Sequence, residues 1–328
     1  MVCFFSNSIC AQLIEVKPEN LGMSSERLER ITNLSKAYLN DYNIPGIVTI
    51  VSRKGKIVYY KAFGKRGVQD ETPLAKDDLF RIYSMTKPVT AVAIMQLYEQ
   101  GKFQLNDAVS KFLPELTDLK VLNEEGELVN TLSAMTMHHL LTHTAGFSYG
   151  FSDDPVDIQY ANANLFLSED LDDFANRVSK LPLKFQPGTR HQYSVAVDLT
   201  GLIIERLSGQ SLDKYFDENI FKPLGMKDTF FQVPTDKRDR FLTRYRYDYI
   251  KKHPVEYPST PKQAMSDFIN VSMFSGGGGL VSTAMDYMIF AEGLRNGGMY
   301  NGQRILSSKT IKFMTKNHFE SVIKPFEG

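Results

Sequence analysis

The chain has 328 residues, of which 42% are hydrophobic and 23% are charged, a composition that indicates a folded globular protein and excludes a disordered one. Lysine and arginine together number 38 and equal the 38 aspartates and glutamates, so no net charge attracts the protein to nucleic acid or to an acidic membrane. The only cysteines are Cys3 and Cys10, which excludes a cysteine nucleophile, a zinc–thiolate site and a disulfide from the body of the chain. A small neutral substrate fits this balance better than a polyanion does.

The first eleven residues carry the features of a targeting segment. An apolar run at residues 2–5 and the small residue Ala11 resemble the core and the cleavage site of a secretory signal, in a segment that is short and has no basic start. Two interpretations of residues 1–11 stay open. The remnant of a signal peptide predicts a periplasmic or secreted protein, and a plain disordered terminus predicts a cytoplasmic one. No other segment approaches the roughly 20 apolar residues of a membrane span, so we expect no stable membrane insertion.

A helix and a hairpin are predicted near the start of the chain. Apolar residues recur at helical spacing through SSERLERITNLSKAYLN, residues 24–40, behind a serine that can cap the first turn. Residues 46–64, GIVTIVSRKGKIVYYKAFG, alternate and are rich in valine, isoleucine and tyrosine around Lys54 and Gly55, which is the pattern of a β-hairpin. Two strands are only marginally stable in water, so we expect further strands or a helical layer against them.

From Phe80 onwards the pattern is mainly helical. The predicted helices follow Ser84, run through MHHLLTHTA and through VDLTGLIIERLSG, and start at a cap on Thr283. Glycines mark the ends of these helices, in chain order Gly101, Gly146, Gly209 and Gly297. Because the sequence shows no internal repeat and no low-complexity linker, we expect one domain over residues 12–328, with a mostly helical part at 80–280.

Ser84 and Lys87 stand three residues apart at the start of a buried helix. The residues that follow, VTAVAIMQL, are apolar on nearly all sides, and Pro88 fits the first turn because its missing N–H costs nothing there. Residues three apart share a helix face, so the lysine lies over the serine. An amine that is desolvated beside a helix N-terminus can take the proton of a serine hydroxyl, and the free N–H groups of the first turn suit an oxyanion.

The Ser-x-x-Lys spacing is not specific by itself, because the chain contains it three times. Ser211 to Lys214 is typical of a helix cap, and Ser321 to Lys324 lies in a polar tail. At Ser84 the structural alternative is a capping serine beside a solvated lysine. This alternative stays open on the stretch alone.

Four segments, taken in order, resemble a known family. They are RIYSMTKPVTAVAIMQL, MTMHHLLTHTAGF, FQPGTRHQYSVAVDLTGLIIERLSG and SGGGGLVSTAMDYMIFAEGLRNGG. In these segments the chain resembles the serine β-lactamase-related hydrolases: class C β-lactamases, D-alanyl-D-alanine carboxypeptidases and family VIII esterases. The resemblance extends from about Ser24 to the end of the chain. It implies an α/β (α+β) fold of the β-lactamase/transpeptidase type, with an antiparallel sheet flanked by helices and a mostly helical lobe.

The resemblance implies roles for three side chains. Ser84 corresponds to the acylated nucleophile, Lys87 to its proton-transfer partner and Tyr193 to the tyrosine of the second motif. A phenol held beside an amine can pass the serine proton to the leaving group. The structural alternative for Tyr193 is a core aromatic whose hydroxyl finds a partner, and the companion segments favour catalysis over it.

Two departures from the family pattern bear on function. Val195 stands two residues after the tyrosine, where β-lactamases and penicillin-binding enzymes usually have asparagine, so the amide that grips an acylamino side chain is replaced by an apolar group. The esterase branch tolerates this change, which favours carboxylic esters over β-lactams and peptidoglycan peptides. The third motif, of the K-T-G, H-x-G or W-G-G type, has no counterpart before Gly328. Its absence predicts a C-terminally truncated chain that lacks the sheet strands completing the oxyanion hole.

Val195 and three further residues are candidates for the substrate pocket. His191 stands two residues before Tyr193 and shares its face if the segment is extended, with a satisfied surface histidine as the alternative. Gly277 and Gly278 belong to a glycine run without a following G-K-[ST], so the run predicts a close backbone approach beside the cleft and not a phosphate loop.

Two other signals do not indicate a function of their own. His138, His139 and His143 lack the glutamate of an H-E-x-x-H motif, so we expect no metal. The basic stretch at residues 227–254 interleaves acidic residues with aromatic ones, which disfavours RNA binding, and its RYRYDY part predicts a strand with one wet face. In the family this region borders the acyl pocket.

These features predict a serine acyl hydrolase that acts on a small-molecule ester or amide, with carboxylic esters as the favoured substrate. The alternatives are β-lactamase or D-alanyl-D-alanine carboxypeptidase activity, and an inactive binding homologue or fragment that lacks the third motif. No cofactor and no nucleic-acid partner are expected, and the sequence leaves the oligomeric state open.

Overall fold

The computed structural model describes residues 13–257 and 267–319. The two interpretations of residues 1–11 and the Ser321 to Lys324 pattern therefore lie outside the described residues. Within these ranges no helix has the length and apolar character that a bilayer crossing requires.

The described chain forms helices joined by short turns and small antiparallel strand pairs. The helices are α1 Ser25–Asp41, α2 Thr86–Glu99, α3 Met137–Leu141, α4 Pro155–Asn162, α5 Leu171–Val178, α6 Ala196–Ser208, α7 Leu212–Phe216, α8 Lys222–Leu224, α9 Ala284–Arg295 and α10 Ser308–Met314. The strands are β1 Gly46–Arg53, β2 Lys56–Gly64, β3 Phe80–Arg81, β4 Lys120–Leu122, β5 Leu128–Asn130, β6 Tyr245–Asp248, β7 His253–Glu256, β8 Val281–Ser282, β9 Met299–Tyr300 and β10 Gln303–Arg304.

The predicted first helix and hairpin are confirmed. Ser24 caps α1, because its side chain accepts a hydrogen bond from the Arg27 N–H at 3.1 Å. Strands β1 and β2 pair in antiparallel register around Lys54 and Gly55, which both have positive φ, as a tight two-residue hairpin turn requires. The expected covering layer is present, since α1 packs against β2 and α9 packs against β1.

Helix α2 lies at the centre of the main apolar core. Val89, Val92, Ala93 and Ile94 have no exposed surface, which agrees with the prediction of a helix buried on nearly all sides. Helix α2 packs along α6, whose own apolar residues are equally buried. Burial of each of the larger aliphatic side chains stabilises the folded state by about 1.5–3 kcal/mol. The packed pair of helices therefore holds the residues at the helix ends in fixed positions.

A short strand pair brings the glycine run next to the start of α2. Strand β3 pairs with β8, and the Ile82 N–H continues this contact by donating to the Leu280 carbonyl at 3.0 Å. The Leu280 N–H in turn donates to the Thr86 hydroxyl at 3.1 Å. The glycines at 276–279 are thereby held against the residues that precede and open α2.

The prediction that a helix through MHHLLTHTA ends at Gly146 is wrong, because α3 ends at Leu141. His143 has a φ of 56° and takes the left-handed position that usually belongs to glycine at a helix end. The Thr144 N–H then donates to the His139 carbonyl at 2.9 Å and closes the helix. Gly146, with a φ of 95°, belongs to the turn that follows.

The other three predicted glycine stops are confirmed. Helix α2 ends at Glu99, just before Gly101 with a φ of 70°. Gly209 caps α6 with a φ of 71°, and α9 ends at Arg295, just before Gly297 and Gly298. The surroundings of these left-handed glycines differ. A Cβ on Gly209 has no atom within 4 Å, whereas a Cβ on Gly298 would lie 2.9 Å from the Leu306 carbonyl carbon and closer still to its oxygen.

We expect Gly209→Ala and Gly298→Ala to separate the cost of a left-handed alanine from the cost of a steric clash. Gly209→Ala should lower the free energy of unfolding by about 1 kcal/mol, because it adds backbone strain alone. Gly298→Ala should lower it by about 3 kcal/mol or more, because the Leu306 backbone must also shift. Urea unfolding of both variants measures the difference, and equal losses would contradict the packing described at Gly298.

Candidate active site

Ser84 sits in a tight turn directly before α2. Tyr83–Met85 form one turn of 3₁₀-helix, and Tyr83 has a φ of 40°, which is unusual for a residue other than glycine. Surrounding contacts hold this conformation, since the Tyr83 hydroxyl accepts a hydrogen bond from Arg244 at 3.2 Å and its ring meets Phe268 edge-on. The turn leaves the Ser84 side chain exposed at the N-terminal end of α2.

The structure brings Ser84, Lys87 and Tyr193 together. The Lys87 Nζ donates to the Ser84 Oγ at 3.2 Å, and the Tyr193 hydroxyl donates to the same oxygen at 2.5 Å. The Lys87 Nζ also lies 4.6 Å from the centre of the Tyr193 ring. A nucleophilic oxygen, an amine and a phenol therefore share one contact point.

The structural alternatives for these residues do not fit the geometry. The N-cap of α2 is Met85 and carries no side-chain hydrogen bond, so Ser84 does not act as the cap. Lys87 is half-buried and bonded within the protein, which differs from a solvated surface lysine. Tyr193 is 37% exposed and is therefore not a core aromatic.

The glycine run supplies the second partner of Lys87. The Lys87 Nζ donates to the Gly277 carbonyl at 2.7 Å, and the Gly277 N–H donates to Asp198 Oδ1 at 3.0 Å. A Cβ on Gly277 would collide with the Asp198 carboxylate and with the Tyr149 hydroxyl. The close backbone approach that the sequence predicts is thus present at Gly277. Gly278 is buried in the same turn, where its N–H donates to the Ser275 carbonyl at 3.3 Å.

Tyr149 is a site residue that the sequence reasoning missed. Its ring lies 5.2 Å from the Lys87 Nζ and 5.3 Å from the Tyr193 ring, and its hydroxyl donates to Asp198 Oδ2 at 3.3 Å. Burial raises the pKa of Tyr149 well above its ordinary value, so the phenol keeps its proton and acts as a donor. Its position next to the family segment that ends at Phe147 was the only available signal.

Asp198 is the second missed residue, and the sequence did contain a signal for it. It is the single charged residue in the apolar run VDLTGLII, and it is fully buried in the first turn of α6. A buried carboxylate requires hydrogen-bond donors, and the Ser275 hydroxyl joins Gly277 and Tyr149 in that role. A lone aspartate on a buried helix face therefore indicates a polar network.

His143 packs on the other side of Tyr193. The two rings lie 5.1 Å apart, and the His143 Nδ1 is 3.3 Å from the Ser194 hydroxyl. Burial, followed by the charge of Lys87 and then by His191, lowers the pKa of His143 to about 4. The imidazole is therefore neutral at pH 7 and adds no further positive charge beside Lys87.

Of the other predicted pocket residues, the structure places His191 near the site and Val195 away from it. His191 is half-buried, with its ring 6.1 Å from His143 and 5.4 Å from Phe319. The prediction that Val195 lines the pocket needs correction, because its side chain has no exposed surface and packs in the main apolar core. Residue 195 is the N-cap of α6, and the helix directs this position inward.

The remaining histidines and the basic stretch have structural contacts. Within residues 13–257 and 267–319 no group of three or more His, Cys, Asp or Glu side chains is arranged to hold a metal ion. The Thr136 N–H donates to the His139 Nδ1 in the cap of α3. In the basic stretch Asp228 pairs with both Lys237 and Arg240, and the predicted RYRYDY strand is confirmed as β6.

Cavity size alone does not identify this site. A cavity of about 660 Å³ lies beside α7 and α8, and none of its lining residues belongs to the cluster around Ser84. The chemistry of Ser84, Lys87 and Tyr193 therefore carries more weight than volume.

Comparison with known proteins places the site in context. The family model described as Beta-lactamase matches residues 31–324. Protein Rv1367c of Mycobacterium tuberculosis (strain ATCC 25618 / H37Rv) is 36% identical over 276 residues, which cover 83% of this chain and 67% of that protein. Esterase EstB of Burkholderia gladioli is 34% identical over 212 residues, which cover 63% of this chain and 52% of EstB.

A solved structure supports the match to the Beta-lactamase family model. It is that of EstCE1, described as a hydrolase with promiscuous acyltransferase activity, and it is 26% identical to this chain. The two folds superpose with a TM-score of 0.74 over 87% of this chain and 75% of EstCE1. The predicted resemblance and the predicted α/β fold of the β-lactamase/transpeptidase type are confirmed.

We expect His143 to make the protein less stable in acid. Its pKa is about 4 in the folded chain and about 6.5 when exposed, so the unfolded state binds the proton first as the pH falls. Stability from this group is fully present above pH 6.5 and is lost towards pH 4, by at most about 3 kcal/mol. Urea unfolding of the wild type and of His143→Gln between pH 7.5 and 4 measures this loss.

In that comparison the wild type should lose stability relative to His143→Gln as the pH falls. Other titrating groups, such as Asp286 with a pKa raised to about 6 by burial, act in both proteins and cancel in the difference. Parallel curves for the two proteins would show that His143 is not buried in its neutral form.

Proposed function

Because the chain belongs to the beta-lactamase family of serine hydrolases, we propose that it hydrolyses carboxylic esters through an acyl intermediate on Ser84. One observation carries this proposal. The Ser84 oxygen accepts hydrogen bonds from Lys87 at 3.2 Å and from Tyr193 at 2.5 Å, so a proton acceptor and a proton shuttle both reach the nucleophile.

In the first half of the reaction the Ser84 oxygen attacks the carbonyl carbon of the ester. As the new carbon–oxygen bond forms, the hydroxyl proton passes to the Lys87 amine, directly or through Tyr193. Negative charge develops on the carbonyl oxygen at the N-terminal end of α2, where the positive end of the helix dipole favours it. The tetrahedral intermediate then expels the alkoxide, which takes the proton and leaves as the alcohol.

In the second half water attacks the acyl-serine. The amine takes one proton from the attacking water, the bond between the acyl carbon and the Ser84 oxygen breaks, and that oxygen recovers the proton. A carboxylic acid leaves and the starting state is restored. The neutral His143 and the Tyr149 ring line the protein side of this cluster and shield Lys87 from water.

Two observations favour esters over other acyl substrates. EstB and EstCE1 are described as an esterase and as a hydrolase with acyltransferase activity, and both are similar to this chain. Position 195 carries a valine, which has no amide to bind the acylamino group of a β-lactam or a peptide.

We expect substitutions in the cluster to remove turnover of 4-nitrophenyl acetate. Ser84→Ala should abolish it, and Lys87→Ala and Tyr193→Phe should each lower kcat/KM by about 100-fold or more, because each removes a partner in the proton transfer. Release of 4-nitrophenolate measures the rate, and mass spectrometry after reaction with a fluorophosphonate probe locates the modified serine.

Ser211→Ala is the matched control, because Ser211 and Lys214 have the same spacing and lie outside the cluster. This variant should keep the wild-type rate within about twofold.

Turnover that survives in Ser84→Ala would refute the proposal. Faster hydrolysis of nitrocefin than of the ester would favour a β-lactamase. Release of D-alanine from a D-alanyl-D-alanine peptide would favour a carboxypeptidase, and no turnover with no labelling would favour an inactive binding homologue.

A further inference from the structure

We propose that Asp198 is a positioning residue for Lys87 and that it acts through the glycine turn at residues 275–278. The proposal rests on the proposed function in one respect, since it takes Lys87 as the acceptor of the Ser84 proton. The Asp198 carboxylate is bonded to Ser275, Gly277 and Tyr149 and not to Ser84 itself.

The first observation is the setting of the Asp198 carboxylate. The side chain is fully buried, and both of its oxygens accept hydrogen bonds. Oδ1 accepts from the Ser275 hydroxyl and from the Gly277 N–H, and Oδ2 accepts from the Tyr149 hydroxyl. Burying a carboxylate is costly, and these three hydrogen bonds offset that cost and fix the position of the carboxylate.

The second observation is how firmly the turn is held. The carbonyl of Gly276 accepts from the Thr90 hydroxyl at 2.6 Å, while the N–H of the same peptide, on Gly277, donates to Asp198. The N–H groups of Gly278 and Gly279 donate to the Ser275 carbonyl at 3.3 and 2.9 Å. With these groups fixed, the Gly277 carbonyl has one direction left and points to the Lys87 Nζ at 2.7 Å.

The third observation is that only glycine allows this contact between the turn and α6. A Cβ on Gly276 would lie 2.8 Å from the Val197 carbonyl oxygen, and a Cβ on Gly277 would overlap the Asp198 carboxylate. No side chain therefore separates Asp198 from the backbone that holds Lys87. One residue, Gly277, lies between the buried carboxylate and the amine, because its N–H binds Asp198 and its carbonyl binds Lys87.

The chemical consequence concerns the lysine cation that forms when Ser84 is deprotonated. In its ionised form Asp198 adds a negative charge on one side of the Gly277 peptide, and the Gly277 carbonyl adds a dipole that points at the cation; both are fixed and need no rearrangement at the moment of proton transfer. In the Ser-His-Asp triad an aspartate orients and stabilises the base by direct contact. Here the aspartate does so through the Gly277 backbone.

Several titratable groups face Lys87 within the described residues, and a change in their protonation would also alter the pH dependence of the labelling rate. Besides Asp198 they are Tyr193, Tyr149 and His143. The two tyrosine rings lie under the amine, and the charge of Lys87 disfavours protonation of His143. Burial holds the pKa of Tyr149 high and that of His143 at about 4, so neither of these two groups titrates between pH 5 and pH 9. Burial also raises the pKa of Asp198, against the opposing effect of its hydrogen bonds and of the Lys87 charge.

The test is the rate at which a fluorophosphonate labels Ser84 in the wild type and in Asp198→Asn, measured from pH 5 to pH 9. In this reaction the Ser84 oxygen bonds to phosphorus, fluoride leaves, and the serine proton passes to Lys87. We expect Asp198→Asn to label about 10-fold more slowly on the plateau. We also expect the acid limb of its pH–rate profile to lie about one pH unit lower, because the variant lacks the carboxylate that stabilises the cation formed when the amine takes the serine proton.

Asp286→Asn is the matched control, since Asp286 is also a buried aspartate at the start of a helix and lies outside the cluster. It should lower stability without moving the acid limb. An acid limb that stays in place in Asp198→Asn would overturn the proposal, because a merely structural role lowers the amplitude alone. Labelling without ester turnover would refute ester hydrolysis and leave this comparison intact, while a wild type that does not label would overturn both proposals.

A second measurement applies if Asp198→Asn does not fold. In wild-type protein labelled with [¹⁵N]glycine, the amide resonance of Gly277 should shift with the same pH midpoint as the labelling rate, because its N–H binds Asp198 and its carbonyl binds Lys87. A Gly277 resonance that is insensitive to pH across the acid limb would overturn the proposal.

Discussion

The hydrogen bonds that meet at the Ser84 oxygen depend on the packing of two helices. Lys87 lies in the first turn of α2, and Tyr193 lies three residues before α6, more than one hundred positions later in the chain. Their shared contact therefore depends on the buried interface between α2 and α6. A cavity in that interface would separate the phenol from the serine, because the core transmits small changes in packing to the helix ends.

The sequence predicts the local part of this arrangement well. Period and capping predict α1, the hairpin, α2, α6 and α9, since each of these signals lies within one element. The pair Ser84 and Lys87 is local in the same way, because helix geometry alone places residues three apart on one face. Tyr193 is different, because only the resemblance to a family connects it to the serine.

The parts that the sequence did not predict arise from tertiary contacts. The role of Gly277 follows from its contact with Asp198, and no spacing rule joins residues 198 and 277. Val195 is buried because the N-cap of α6 turns inward, which a pattern based on the tyrosine motif does not specify. Helix α3 ends five residues before the predicted glycine, because a histidine accepts the left-handed conformation. In each case the surrounding tertiary structure determined a conformation or contact that the local sequence pattern does not predict.

The left-handed conformation of His143 sets stability against activity at one position. A glycine there would relieve the backbone, and selection for a more heat-resistant protein would favour it. The same exchange would leave a hole against the face of Tyr193, with which the imidazole is now in contact. Thermostabilisation at this position would thus loosen the phenol that contacts the nucleophile, because the residue that has the unfavourable backbone angle also supplies the ring packed against Tyr193.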